Sequence, residues 1–194
     1  FITTLFYLIE GYALSQNILL SEDFESSSLP FDWSQYTLSD DGGWLNGNND
    51  ELQSDWWTIQ PNGNFIATND DACDCDKSKD YLILPLLDLS NVEYAIMSFS
   101  TYFSGEIFQG STEVATVEYA FPNGEPIEEL EWTVLEEISG NGDSDETVWG
   151  SETINLSALV GNNNVLLAFR YNDGGGWMFG WAIDNVLVYE PTGL

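Results

Sequence analysis

The sequence predicts an all-β domain in which two antiparallel sheets pack face to face as a jelly-roll β-sandwich. Short runs rich in β-branched and aromatic residues recur about every dozen residues, and Gly, Asn, Asp and Pro separate them. No long stretch has helical periodicity, and 43% hydrophobic residues in a chain of 194 are enough for one packed core. About eleven such strands favour a jelly roll over an immunoglobulin-like sandwich.

Each strand is predicted from a run of this kind and from the turn residues that bound it. Alternation is clearest over residues 165–171 and 117–121, where every second side chain is apolar. Turn signals follow at residues 40–43, 122–124 and 174–176. The candidate strands are Asn17–Phe24, Trp33–Leu38, Trp56–Gln60, Asn64–Thr68, Tyr81–Leu84, Tyr94–Phe103, Glu113–Phe121, Trp132–Ile138, Glu152–Leu156, Asn164–Tyr171 and Trp181–Tyr189.

Residues 1–16 differ from the domain, which we place at residues 17–191. Phe1–Ile9 is largely apolar, and Tyr12–Gln16 is similar to the small-residue end of a secretory signal. We interpret the segment as an export-signal remnant, with an N-terminal strand or a partner-binding tail as the alternative. It is too short to span a bilayer.

Composition excludes several classes of function. Acidic residues outnumber basic ones by 33 to 3, so the formal net charge is −30, and nucleic acids and anionic membrane surfaces are unfavourable partners. The chain has no histidine, which excludes Ser-His-Asp and Cys-His catalysis and His-ligated metals. The enzymatic hypothesis that remains is a glycoside hydrolase with a carboxylate pair drawn from Glu128, Glu129, Glu131, Glu136 and Glu137.

The segment from Asn69 to Asp80 contains five aspartates. These charges repel one another, and lysine lacks the geometry to gather several carboxylates, so we expect a calcium ion here. A solvated acidic turn is the alternative. Cys73 and Cys75 lie inside the segment, either as a local disulfide or as free thiols, and a zinc site is a weaker hypothesis for them.

Two more acidic residues interrupt apolar strands at the ends of the domain. Asp184 lies within the apolar run 181–188, and Glu25 follows Phe24 in the first strand. Because terminal strands of sandwiches commonly lie side by side, we expect Glu25 and Asp184 to meet the acidic segment at one calcium ion; exposed acids at a hairpin edge are the alternative. A second calcium loop is weighed against a plain flexible loop at Asn141, Asp143, Asp145 and Glu152.

The chain also has eight tryptophans, several of them next to predicted turns. Most aromatic rings fill cores, but rings at turns can stack on the faces of sugars. We predict Trp44 and Trp177 as ligand-binding residues, and Trp177, which follows three glycines, is the better candidate for a surface platform.

Four motifs together resemble the cleaved-adhesin domains, also called choice-of-anchor J, of secreted Bacteroidota proteins, which are relatives of the MAM-type jelly rolls. They are Ser-Glu-Asp-Phe-Glu at 21–25, Asp-Asp-Gly-Gly-Trp at 40–44, the block at 69–85 and Gly-Trp-Ala-Ile-Asp-Asn-Val at 180–186. The resemblance covers about residues 17–191 and implies a calcium-bearing sandwich without catalytic activity, secreted or at the cell surface. The metal ligands that it implies are Glu25, Asn69, Asp70, Asp71, Asp76 and Asp184.

The resemblance also implies that the domain binds a glycan or a protein as an adhesion module. A structural subunit of a larger surface assembly, held through the apolar N-terminus, is an alternative, as is the glycoside hydrolase.

Overall fold

The computed structural model describes residues 16–26, 28–73, 75–140 and 147–191, which form two packed antiparallel sheets. The strands in these ranges are β1 (Gln16–Glu22), β2 (Ser34–Tyr36), β3 (Leu45–Asn48), β4 (Asn64–Asn69), β5 (Asp80–Ile83), β6 (Ile96–Phe103), β7 (Ile107–Phe108), β8 (Ser111–Thr112), β9 (Val114–Ala120), β10 (Thr133–Glu137), β11 (Gly150–Asn155), β12 (Leu166–Asn172) and β13 (Gly180–Pro191). The helical elements in these ranges are one α-helical turn, α1 (Asn49–Leu52), and 3₁₀ turns at Ile127–Glu129 and Ser157–Leu159.

The predicted jelly-roll sandwich is confirmed. One sheet has the order β11-β6-β13-β4-β3, with β1 also paired to β13, and the other has the order β10-β9-β12-β5-β2. β7 and β8 form a separate small hairpin. The first and last strands are neighbours, as the sequence predicts, because β1 pairs with β13 from Gln16 opposite Pro191 to Glu22 opposite Val186.

The core between the sheets is rich in aromatic rings. Trp181 is central, with ring centroids 5.6 Å from Trp44 and 5.5 Å from Phe169. Trp44 is only 2% exposed, and its Nε1 donates a hydrogen bond to the carbonyl of Asp80 at 3.1 Å. The prediction that Trp44 binds a ligand at the surface is therefore wrong, because its ring fills the core.

A second apolar cluster covers the outer face of the six-stranded sheet and explains one incorrect strand. Residues 56–60 are not a strand; Trp57 and Ile59 instead pack on that face and are almost fully buried. The Tyr102 hydroxyl donates a hydrogen bond to the carbonyl of Thr58 at 2.8 Å. A segment that crosses the outer face of the sheet can therefore show the alternating burial of a strand without pairing as one. β3 carries no apolar alternation and was not among the predicted strands.

Within the described residues, no helix has the length and apolar character that a bilayer span requires. The N-terminal tail lies outside these residues except for Gln16, which begins β1. Residues 141–146 of the second calcium-loop hypothesis also lie outside them.

Candidate functional site

The last strand changes its neighbour next to two predicted metal ligands, Glu25 and Asp184. β13 pairs with β4 through Gly180–Ile183 and with β1 through Val186–Pro191, while β6 runs along its other side. Asp184 and Asn185 fall between these two ladders, where the pairing with β6 shifts in register and Asn185 is left-handed (φ 51°). Asp184 therefore lies where the end of β1 approaches the start of β4.

Asp184 is a buried carboxyl group in an acidic neighbourhood. Its Oδ2 accepts a hydrogen bond from Asn62 Nδ2 and its Oδ1 accepts one from the Asn185 amide, both at 2.7 Å. Burial, reinforced by the carboxylates of Glu25 and Asp23, raises the pKa of Asp184 to about 7, although the Asn185 amide opposes the shift. A nearby cation would restore the ionised form.

Amide groups surround the Glu25 side of this arrangement. Asn46 Nδ2 donates to the carbonyl of Phe24 at 3.0 Å, and Asn46 Oδ1 is buried with no hydrogen-bond partner among the described residues. The Asn64 amide donates to Glu25 Oε2 at 3.4 Å. Gly63 has φ 76°, a left-handed conformation that favours glycine, and a β-carbon there would push the end of the Glu25 side chain aside.

We call Glu25, Asn46, Asn62 and Asp184 the strand junction. Their carboxylate and amide oxygens are the hard donors that calcium prefers, about six to eight per ion including backbone and water. An unpartnered buried oxygen and a carboxyl group with a raised pKa both favour a cation. The strand junction therefore fits calcium in its chemistry, and the ion itself stays a prediction.

The acidic loop, residues 69–80, lies at the opposite end of β4 from the strand junction. The end of β4 next to the loop pairs with Gly180, four residues before Asp184 in β13. Four residues of extended strand span about 13 Å. The prediction that Glu25 and Asp184 meet the acidic loop at one ion is therefore wrong, because the register of β13 separates the two groups of carboxylates.

A buried lysine neutralises part of the acidic loop. Lys77 is fully buried, and its Nζ lies 2.9 Å from Asp41 Oδ2 and 3.2 Å from Asp80 Oδ2. Asp80 also accepts hydrogen bonds from the hydroxyls of Thr68 and Ser39, both at 2.6 Å. Sequence reasoning assigns the gathering of these carboxylates to a dication. Of the loop aspartates, Lys77 binds Asp80, together with Asp41 from outside the loop, and a dication at the remaining loop carboxylates stays a prediction.

Four predicted metal ligands of the acidic loop contact separate segments of backbone: Asn69, Asp70, Asp71 and Asp76. Asp70 Oδ2 accepts a hydrogen bond from the Met178 amide at 2.6 Å. Asn69 Nδ2 donates to the carbonyl of Leu52 at the end of α1, and Asp71 accepts from the Trp56 amide in the segment that follows. Asp76 accepts from the amide two residues ahead. Metal binding by these residues stays a prediction.

One cluster of potential metal-binding side chains lies within 4.8 Å among the described residues, namely Asp41, Cys73 and Cys75. Cys73 and Cys75 form a disulfide, which selects one of the two alternatives that the sequence left open. Disulfide sulfurs are not thiolates, so this cluster lacks the soft ligands of a zinc site. Asp74, between the two cysteines, lies outside the described residues.

An aromatic cleft opens at the same end of the sandwich as the acidic loop. Its volume is about 440 Å³, and Trp56, Phe108, Trp177 and Phe179 line it. Trp177 is 59% exposed and Trp56 is 76% exposed. The structure thus places Trp177 at the surface, as expected, and its contact with a ligand stays a prediction. Exposed aromatic groups that share a cleft are typical of a binding site.

Acidic side chains hold the loops that carry these rings. The hydrogen bond from the Met178 amide to Asp70 fixes the backbone next to Trp177. Asp71 Oδ2 accepts from the Trp56 amide at 3.3 Å and lines the aromatic cleft itself. The acidic loop therefore positions two aromatic rings, whatever its affinity for metal.

Glu113 anchors the hairpin that carries the third ring. It is buried, and it accepts hydrogen bonds from the Ser104 hydroxyl at 2.6 Å and from the Tyr171 hydroxyl at 2.9 Å. Burial raises the pKa of Glu113. These contacts fix both ends of the β7–β8 hairpin, at whose tip Phe108 lies.

Trp177 also borders a second cleft, which is acidic. This acidic cleft has a volume of about 600 Å³, and Asp70, Asp76 and Asp173 are among its lining residues. Burial raises the pKa of Asp70 to about 7; the Met178 amide opposes the shift and the Asp173 carboxylate adds to it. An apolar and an acidic surface thus meet at one indole ring.

The raised pKa values predict how stability depends on pH. At Asp70 and Asp184 the pKa rises from an ordinary 3.8 to about 7 on folding. Between these values the folded protein binds more protons than the unfolded protein, so the free energy of unfolding falls as pH rises from about 4 to about 7. Urea unfolding in chelator checks this. Replacing both residues by Asn should flatten the pH dependence, and an unchanged slope would contradict the assignment.

Sequence reasoning did not identify several residues of these sites. Asn46 and Asn62 lie in Asn-Gly turn-like stretches that carry no distinctive signal. Phe108 lies in a short hairpin between glycines. The adjacent pair Trp56-Trp57 offered a signal, because neighbouring side chains in an extended segment face opposite ways, and here one is exposed and the other buried.

The glutamates of the glycoside hydrolase hypothesis lie in and before β10, and all five are exposed. Glu129 and Glu131 line a shallow cleft of about 540 Å³ together with Glu125. Among the described residues, the lining of that cleft includes no tryptophan to flank a sugar. The structure offers no specific support for a catalytic pair there.

No family model and no curated protein matches the sequence. Several solved structures do match. The K1 cleaved adhesin domain of Lys-gingipain from Porphyromonas gingivalis W83 is similar with a TM-score of 0.59 and 21% identity, over 90% of this chain and 98% of that domain. The K3 domain of the same protein gives 0.57 and 19%, over 91% and 99%.

A carbohydrate-binding domain has a similar structure. The CBM22-1 xylan-binding domain from Paenibacillus barcinonensis Xyn10C matches with a TM-score of 0.53 and 15% identity, over 94% of this chain and 99% of that domain. At these identities the likeness establishes the fold. The chain has the jelly roll of the cleaved adhesin domains, which its motifs predicted.

Proposed function

We propose that this chain is a non-catalytic binding module of a secreted or cell-surface protein, and that its aromatic cleft binds a glycan. The observation that carries the proposal is the exposure of Trp56, Phe108 and Trp177 around one cleft. Sugar rings have apolar faces that stack on indole, and carboxylates such as Asp71 accept hydrogen bonds from their hydroxyls.

Three further observations support the proposal. The fold is shared with cleaved adhesin domains and with a xylan-binding domain. The Cys73–Cys75 disulfide suits an oxidising, extracellular environment. The rings sit on loops that buried carboxylates hold in place, so the cleft is largely formed before a ligand arrives.

Calcium at the strand junction is the second part of the proposal. Glu25 and Asp184 would bind the ion with the amide oxygens of Asn46 and Asn62. The ion supplies the positive charge that keeps the buried Asp184 carboxylate ionised beside Glu25. Because β1, β4 and β13 meet there, and the aromatic cleft lies toward the other end of β4, we expect calcium to stabilise the domain without touching the ligand.

The glycan-binding part is tested on an array of neutral and charged oligosaccharides, followed by calorimetry with the best ligand. Trp177→Ala should weaken binding at least about tenfold, because an aromatic ring at the centre of a contact carries much of its energy. Phe31→Ala is the matched control, since Phe31 is 99% exposed and lies outside the cleft. Equal affinities of both variants would refute the cleft as the binding site.

A further inference from the structure

We infer that the aromatic cleft selects glycans that carry a free amino group over neutral and acidic glycans. The inference rests on the proposed function and names a ligand class for the same site. It comes from the carboxylates around Trp177, since among the residues that the structure describes no basic side chain lines the aromatic cleft or the acidic cleft. These carboxylates belong to Asp71, Asp76 and Asp173.

The basic residues of the chain do not cancel this charge. There are only three in the sequence. Lys77 is bound inside the acidic loop, as described above, and Arg170 lies 3.5 Å from Glu118 and donates to a backbone carbonyl at 3.1 Å. Lys79 is exposed and near Asp76, whose pKa it lowers less than the hydrogen bonds of that carboxylate do. The surroundings of Trp177 therefore keep a net negative charge.

Burial makes part of this charge effective. Asp173 lines the acidic cleft although it is only 4% exposed. Water screens buried charges poorly, so an ammonium group entering the cleft gains more from them than from exposed carboxylates. The same group can lie over the indole of Trp177 in a cation–π contact. A uronic acid in this position would be repelled.

The shape of the site favours a sugar over the side chain of a partner protein. The aromatic cleft has a volume of about 440 Å³ with several ring faces. A lone lysine side chain would leave most of these faces uncovered, whereas the rings of an oligosaccharide cover them and place an amino group beside Trp177. Apolar stacking and charge recognition then act on one ligand.

The test compares glucosamine hexamer with N-acetylglucosamine hexamer, at about pH 6 where the free amines are charged. We expect glucosamine hexamer to bind about tenfold more tightly, and added salt to weaken only that ligand. Asp71→Asn and Asp76→Asn should each lower the affinity ratio about threefold. Asp88→Asn is the matched control, because Asp88 accepts from the amide two residues ahead as Asp76 does, outside both clefts.

Equal affinity for the two hexamers would overturn the inference and leave the proposed function standing. Tighter binding of galacturonic acid hexamer would overturn it as well. Binding of a lysine hexapeptide without binding of glucosamine hexamer would replace the glycan by a protein partner. Failure of every oligosaccharide to bind would refute the proposed function together with the inference. A preference for glucosamine hexamer of about tenfold, reduced by the Asp71 and Asp76 variants but not by the Asp88 variant, would establish the inference.

Discussion

Chelation of calcium is expected to lower the melting temperature by about 5–10 °C. An ion bound at about 100 times its Kd contributes about 2.7 kcal/mol, and a domain of this size loses about 2–4 °C per kcal/mol. The loss arises at the strand junction, where Asp184 and Glu25 repel each other once the ion is removed. Differential scanning calorimetry with calcium and with excess chelator measures the shift.

Asp184→Asn is a control variant whose effect on stability should change when calcium is removed. With calcium this variant should be less stable than the parent, because a charged ligand is lost. In chelator at about pH 8 it should be as stable or more stable, because it removes a buried charge next to Glu25. Asp88→Asn, on the surface, should change neither value. Identical melts of the parent protein in calcium and in chelator would exclude a structural ion at the strand junction.

Replacement of Lys77 by Met is expected to lower the free energy of unfolding by about 3–5 kcal/mol. The variant leaves Asp80, which is fully buried, and Asp41, which is 22% exposed, without their shared cation. The unpaired buried charge destabilises the folded state more than burial of the apolar methionine stabilises it. Urea unfolding followed by tryptophan fluorescence measures the effect.

Lys79→Met is the matched control for this experiment, since Lys79 is exposed two residues away. It should change the free energy of unfolding by less than about 0.5 kcal/mol. Adding Asp80→Asn to Lys77→Met should recover part of the loss, because it removes one of the unpaired charges. If Lys77→Met were as stable as Lys79→Met, the acidic loop would not depend on its internal cation.

Much of the architecture was predictable from local pattern. The alternation over residues 165–171 appears as β12, with Leu167, Phe169 and Tyr171 buried in the core. Residues 56–60 show the same alternation but form no strand, because a segment that buries one side against a sheet has the same pattern as a strand. Periodicity indicates which side chains are buried, but it does not indicate whether the backbone pairs with a neighbouring strand.

For the acidic residues, the sequence predicted the chemistry but not the partners. Their number and their hard oxygen chemistry pointed to a cation, but one-dimensional spacing could not distinguish an external ion from Lys77. Burial of a lysine depends on residues distant in sequence, such as Asp41, that are brought close only by folding. The same limit applies to the strand junction, where Asn46 and Asn62 reach Phe24 and Asp184 across the fold.

The sequence by itself determined the all-β class from side-chain period and the excess of carboxylates from composition, and the sandwich class then predicted that the first and last strands are neighbours. Only the tertiary structure decided that the carboxylates form two separate groups, that Trp44 is buried while Trp56 and Trp177 share a cleft, and that a lysine lies inside the acidic loop. The physical reason is that strand register and loop packing set distances in space, and neither is encoded in the spacing of residues along a single segment.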